Sequence, residues 1–253
     1  MSGSNWSRMW KAIGQAGFDV DNPPYIWRFY ENLLGRDYDF RGKKILEFGC
    51  GTGINSLIMA SRGAKLVFYD QSKQALELVR KNLDRLSIDA ELVHGDCFDS
   101  QFDGEFDLVH SEGLVEHFLE PRRQEIVDIH ARAVKSGGKL LLMVPHRKCA
   151  PYRVGKWLAC KTGTWIYGGE YPYTKKELMV RMQRSGLEPG RIVGGETLFS
   201  LFFLFSPIAL QSSRFLRLGV TQPASDSMTR LNYDNWLANK YGRVIGVVGE
   251  KRA

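Results

Sequence analysis

The stretch Ile45-Leu46-Glu47-Phe48-Gly49-Cys50-Gly51-Thr52-Gly53-Ile54 reads as a buried strand carrying one acid, then a glycine turn that opens a helix. Glycines at alternate positions let the backbone turn sharply and let a ligand approach main-chain N–H groups. A second strand, Lys65 to Asp70, ends in a carboxylate. Asp70 lies 21 residues beyond Gly49, where a βαβ nucleotide site puts the acid that accepts from ribose hydroxyls. Ile54 stands where a dinucleotide fingerprint has its third glycine, which argues against NAD.

Outward from this unit, strands alternate with helical segments. Further strands are expected at Glu91–His94, Phe106–His110, Lys139–Val144, Arg191–Val193 and Val244–Val248. A helix is expected from Asn55 to about Ser61. Another is capped by Ser72, with Ala75, Leu76, Val79, Leu83 and Leu86 at helical spacing. Helices are also expected over Arg122–Val134 and after the capping box Thr174-x-x-Glu177. The alternation predicts an α/β fold, a Rossmann-like doubly wound sheet, mostly parallel.

Composition suits one domain over residues 1–253, since 253 residues with 43% hydrophobic can bury a full core. Within it, residues 1–40 form an N-terminal helical cover. Two short amphipathic helices are expected there, one around Trp6–Ile13 and one around Ile26–Leu34. Residues 42–195 form a core with an insert at 146–173, 198–241 a second insert or lid, and 242–251 the last strand. The formal charge of +7 fits nucleic acid, a membrane surface, an acidic substrate or a solvated basic face. The basic residues are dispersed, so a solvated face is expected and nucleic acid is not. Four cysteines without C-x-x-C spacing, and no leader segment, point to a reduced, cytoplasmic protein.

In open parallel sheets, ligands bind beyond the carboxyl ends of the strands. The strand ends here are Glu47–Gly53, Asp70, Asp96, Ser111–His117 and Pro145–His146. Glu47-Phe-Gly-Cys-Gly-Thr-Gly53 resembles motif I of the class I S-adenosylmethionine (SAM) dependent methyltransferases. Over residues 42–195 the chain is similar to their small-molecule group, which includes the ubiquinone and menaquinone enzymes. The resemblance implies a seven-stranded sheet of order 3-2-1-4-5-7-6, strand seven antiparallel. It implies SAM as methyl donor, S-adenosylhomocysteine as product and a small-molecule acceptor.

It also implies roles. Glu47 would help hold the methionine amino group, and Gly49, Cys50, Gly51 and Gly53 would form the loop beneath the methionine part. Asp70 would accept from the ribose hydroxyls, with Gln71 alongside the adenine. Asp96 would accept from the adenine amino group, the Cys97 N–H would donate to the ring, and Ser111 would lie near the sulfonium. A purely local reading makes Asp96 a strand-end turn former.

Ser111-Glu-Gly-Leu-Val-Glu-His-Phe118 matches the loop after strand four in this group, where a Glu–His pair is frequent. Methyl transfer from a sulfonium is an in-line displacement, so positioning dominates. For a hydroxyl acceptor, neutral His117 is the candidate base and Glu116 its orienting partner. The alternative is that His117 only closes the pocket. His110, Glu112, Glu116 and His117 complete no metal-ligand set, so no metal is expected. Asn22-Pro-Pro-Tyr25 matches the catalytic loop of amino-methyltransferases, but it precedes strand one and reads as a helix-starting turn.

The insert after strand five is rich in aromatics and lysine, including Tyr152, Lys156, Trp157, Trp165 and Tyr167, and suits an acceptor lid. Leu198–Phe205 is apolar all round. It is either packing, or a greasy pocket, or a peripheral membrane contact through 198–210. The expected reaction is methyl transfer to a small apolar or aromatic acceptor, at oxygen first, with carbon or nitrogen as alternatives. The rivals are an RNA or protein methyltransferase and a non-catalytic SAM-binding scaffold.

Overall fold

Seven strands form one sheet in the order β3-β2-β1-β4-β5-β7-β6. They are β1 (Lys44–Phe48), β2 (Lys65–Asp70), β3 (Ala90–His94), β4 (Phe106–Glu112), β5 (Val134–Pro145), β6 (Leu187–Gly195) and β7 (Val244–Lys251). The structure is a computed structural model and describes residues 19–21, 23, 24, 26–209, 233 and 235–252. The β1–β5 pairings are parallel, and β7 runs antiparallel between β5 and β6. This is the expected order and direction.

The helices are α1 (Trp27–Leu34), α2 (Ile54–Ser61), α3 (Lys73–Leu86), α4 (Arg122–Ala133), α5 (Ala150–Lys161), α6 (Lys175–Arg184), α7 (Phe199–Phe202), α8 (Ser206–Ala209) and α9 (Trp236–Tyr241). Single 3-10 turns occur at Cys97–Asp99, Val115–His117 and Phe203–Phe205. Ser72 Oγ accepts from Ala75 N at 3.3 Å, as a cap should. Thr174 Oγ1 accepts from Glu177 N at 3.1 Å. The Glu177 carboxylate does not complete the capping box; it pairs with Arg123 at 2.9 Å and Arg147 at 3.1 Å.

Adjacent residues of a strand face opposite sides. In β1, Ile45 joins the layer under α1, α2 and α3, with Phe29, Leu57 and Phe68. Leu46 and Phe48 join the layer under α4 and α6, with Ile126, Leu142 and Met182. Both faces are covered, which is why the central strands read as nearly unbroken apolar runs. A buried polar pair stitches the layers to β4. His110 meets Tyr30 Oη at 3.1 Å and Ser56 Oγ at 2.8 Å, while His130 meets Ser111 Oγ at 3.0 Å. Burial pulls His110 down to about 3 and His130 to about 4, so both rings are neutral.

The first expected N-terminal helix, around Trp6–Ile13, lies outside the described residues, as do Asn22, Tyr25 and residues 210–232. Pro24 O accepts from Trp27 N at 2.9 Å, so the prolines do open α1. Leu198–Phe205 is not buried all round. Phe203 and Ser200 are buried, whereas Phe202 and Phe205 are 55% and 66% exposed. No helix among the described residues is long and apolar enough to cross a membrane.

The α1 cover rests on small residues beneath it. A Cβ at Gly246 in β7 would come within 2.5 Å of Leu33 and 3.4 Å of Phe29. At Gly190 the nearest atom is the Val248 carbonyl at 3.5 Å. Gly246→Ala therefore costs about 1–3 kcal/mol by overpacking, and Gly190→Ala under about 0.5 kcal/mol. Urea unfolding followed by fluorescence checks this; equal losses would contradict the packing.

Candidate active site

A cavity of about 760 Å³ opens over the carboxyl ends of β1, β2, β4 and β5 and the start of β7. Gly49, Gly51 and Gly53 all have left-handed backbone, with φ of 64°, 51° and 67°. Gly49 N donates to Tyr69 O at 2.7 Å, which seats the loop on β2. Gly49, Cys50, Gly51 and Thr52 line the cavity. Gly53 does not. It opens α2 from behind the loop, where a Cβ would meet Phe68 at 2.8 Å.

Asp70 lines the cavity and binds two loops at once. Its Oδ2 accepts from Gly51 N at 3.1 Å and its Oδ1 from Ser72 N at 2.8 Å. Burial raises its carboxyl, against those hydrogen bonds. A carboxylate has about four lone-pair sites, so capacity for ligand hydroxyls remains. Gln71, Asp96 and Cys97 line the same end. Asp96 Oδ1 accepts from Phe98 N at 3.1 Å, so the local turn role is real and coexists with cavity exposure. Burial pushes the Cys97 thiol up to about 12 and raises that of Cys50, which suits packing rather than nucleophilic use.

Two acids lie beyond the glycine loop. Glu47 is buried, and its Oε2 has no hydrogen-bond partner. Burial pushes its carboxyl up to about 8; Glu112 and Asp70 push the same way, against a hydrogen bond with Ser56. Glu112 accepts from Asn55 Nδ2 at 3.0 Å, and burial pushes it up to about 7. Ser111 is not on the cavity wall. It points to the opposite face of β4, where its hydroxyl meets His130. The side-chain period of two makes this unavoidable once Glu112 faces the cavity.

The turn after β4 holds Glu116 and His117, both lining the cavity. His117 Nδ1 lies 2.7 Å from Gly169 O. A carbonyl only accepts, so Nδ1 carries a proton, and in the neutral tautomer this sets the lone pair at Nε2. Tyr171 N donates to Glu116 O at 2.8 Å. Residues 169–171 thus zip onto the 115–117 turn and bring Glu170 beside Glu116 and His117. Burial, and next the charge of Glu170, raises the Glu116 carboxyl. Tyr152, Trp165 and Tyr167 from the first insert and Phe199 and Phe203 from the second wall the cavity. His146 does not line it.

Glu170, Glu196 and Arg243 were not singled out by the sequence. Arg243 pairs with buried Glu196 and lies 5.0 Å from the Phe203 ring centroid. Its signal was the topology: an antiparallel β7 starts where the parallel strands end, so the residue before Val244 falls on the cavity rim. Glu170 carries no motif at all.

Residues 45–138 match a family described as a methyltransferase domain. The ubiquinone biosynthesis O-methyltransferase of Thiobacillus denitrificans is 32% identical over 159 residues, covering 60% of this chain and 68% of that protein. The chain belongs to the class I SAM-dependent methyltransferases. The cypemycin N-terminal methyltransferase of a Streptomyces species is 35% identical over 103 residues, 40% of this chain and 41% of that protein. A geranyl diphosphate methyltransferase in complex with SAM shares the fold at 13% identity, with a TM-score of 0.60, covering 89% of this chain and 84% of that one. This methyltransferase is an enzyme, and SAM is its methyl donor.

The high carboxyl of Glu47 has a consequence for stability. Its ordinary value is 4.5 and its folded value about 8. As pH rises through that window, the unfolded chain gives up the proton first, so the folded state loses stability. Glutamine keeps the neutral shape and has no proton to lose. Glu47→Gln should therefore raise stability over wild type at pH 8, by about 1–4 kcal/mol, and not at pH 4.5. Urea midpoints at the two pH values check this; a difference that does not change with pH would contradict it.

Proposed function

We propose that this methyltransferase transfers the SAM methyl group to a hydroxyl oxygen of a small acceptor with an apolar or aromatic body. The observation that carries the reading is the continuity of one cavity from the glycine loop to the Glu116–His117 turn, walled at that end by aromatic rings. The O-methyltransferase relatives support oxygen as the acceptor atom. Residues 42–195 with the last strand would form the donor-binding core, and 1–40, 146–173 and 198–241 its covers.

The residues present fit the donor. Glu47 has an unpartnered buried oxygen for the methionine ammonium, and that pairing would draw off its proton. The Gly49–Gly51 backbone passes beneath the methionine part without a Cβ in the way. Asp70 and Gln71 serve the ribose and adenine edge, with Asp96 and the Cys97 N–H at the adenine ring. Ser111 is left out of this set, because its hydroxyl is held by His130.

When bound, the donor supplies a methyl carbon on a positively charged sulfur. The acceptor oxygen forms the new C–O bond as the C–S bond breaks, and that electron pair stays on sulfur as neutral S-adenosylhomocysteine. His117 Nε2 takes up the hydroxyl proton in this reading, because Gly169 O fixes the proton already on the ring at Nδ1. Tyr152, Trp165 and Phe203 exclude water and orient the acceptor body.

Calorimetric titration with SAM, S-adenosylhomocysteine and NAD tests the donor half. SAM should bind in the micromolar range and NAD should not, and Asp70→Ala should weaken SAM about 10-fold or more. An acceptor screen over phenolic and prenylated compounds, read by mass spectrometry, tests the other half. His117→Ala should then lower kcat about 100-fold with SAM affinity retained. Absence of SAM binding by folded protein would overturn the site. Methylation of a peptide or RNA in place of the small compounds would favour the macromolecular reading, for which the cypemycin relative is the nearest support.

A further inference from the structure

We propose that Tyr30, His110 and Ser56 form a one-way hydrogen-bond relay that points a hydroxyl proton at Glu47 and readies its carboxylate for the ammonium of the methyl donor. The three are positioning residues for donor binding. The proposal rests on the reading of Glu47 as the partner of that ammonium, and extends it to residues behind the cavity wall.

Sheet register sets the two ends of the chain side by side. Glu47 in β1 is paired with His110 in β4, and paired residues of neighbouring strands face the same side. On that side α1 supplies Tyr30 and α2 supplies Ser56. His110 Nε2 lies 2.8 Å from Ser56 Oγ, and His110 Nδ1 lies 3.1 Å from Tyr30 Oη. Ser56 in turn hydrogen-bonds Glu47. All four side chains are buried, and Tyr30, His110 and Ser56 do not line the cavity. Their polar groups must therefore satisfy one another. The Trp27 ring, stacked 5.5 Å from that of Tyr30, holds the phenol in place.

Once Glu47 is ionised, donors and acceptors can run in one direction only. A carboxylate only accepts, so the Ser56 hydroxyl proton goes to Glu47. Ser56 Oγ then accepts from His110, whose Nε2 must carry the ring proton. Burial keeps His110 neutral, so its Nδ1 is bare and accepts from the Tyr30 hydroxyl. Every link donates toward Glu47, and such a chain is mutually reinforcing in a dry interior. Glu47 Oε2, which has no partner, is left for the ammonium.

Without the donor, a protonated Glu47 can itself donate to Ser56 Oγ, and the same atoms can then run the other way. Donor binding thus selects one direction and one His110 tautomer. The Glu47 proton leaves to solvent at that moment. None travels along the chain, because His110 is neutral in either direction.

The test uses the full-length protein and calorimetric titration with two ligands. S-adenosylhomocysteine carries the ammonium, and methylthioadenosine lacks the whole amino-acid end. Ser56→Ala should weaken S-adenosylhomocysteine about 10-fold and Tyr30→Phe about 3-fold, while methylthioadenosine binds all forms alike. Equal weakening of both ligands would mean a loosened fold and would overturn the relay. If Glu47→Gln weakens S-adenosylhomocysteine but Ser56→Ala and Tyr30→Phe do not, the relay fails and the role of Glu47 stands. If Glu47→Gln changes nothing, that role fails too. NMR of nitrogen-labelled histidine, with S-adenosylhomocysteine bound, should find the His110 ring proton on Nε2; a proton on Nδ1 overturns the relay. The ring is assigned by the signals missing in His110→Gln, or by those shifted in Tyr30→Phe should that variant not fold.

Discussion

One buried carboxylate, Asp70, holds the cavity edge of this sheet in shape. It accepts from Gly51 N and Ser72 N, so the loop after β1 and the loop after β2 are tied to the same group. The left-handed glycines permit the turn, but permission is not position; the two charge-assisted hydrogen bonds supply that. Because the loop is fixed, Glu47 and Asn55 are held on one wall, and Asn55 in turn orients Glu112. The glycine-loop end of the cavity follows from this single tie.

The Glu116–His117 end of the cavity depends on a second tie made mainly of backbone. His117 and Tyr171 lace the turn after β4 to residues 169–171, and Tyr173 Oη reaches Val115 O at 3.3 Å. Tyr173 is itself buried, with the Arg123 guanidinium 3.5 Å above its ring. Arg123 is paired to Glu177 on α6. The 169–173 segment is thereby anchored to both α4 and α6.

Both ties act in a low-dielectric enclosure, and the carboxyl groups register it. Desolvation raises Glu47, Glu112 and Glu116, and the charge of Glu112 adds to the shift of the other two. In the proposed reading, the positively charged sulfonium and ammonium of SAM would meet these acids. The Arg243–Glu196 pair at the rim is internally neutral and leaves this field largely intact.

By itself, the sequence determined the sheet, its order through the family resemblance, and the glycine turn with its strand-end acids. Glycine spacing, strand-end acids and helical periodicity are local properties, and local properties are written in neighbouring residues. It erred where the face of a strand mattered. Ser111 and Glu112 are adjacent, and only the register against β1 and β5 decides which of them meets the cavity. Leu198–Phe205 read as uniformly apolar because hydrophobicity carries no direction, whereas packing on α5 divides it into a buried and an exposed side. Tertiary structure alone brought Glu170 to Glu116 and His117, and Arg243 to the cavity rim. Those meetings are set by loop closure over tens of residues and by the antiparallel return of β7, and no short-range pattern encodes either.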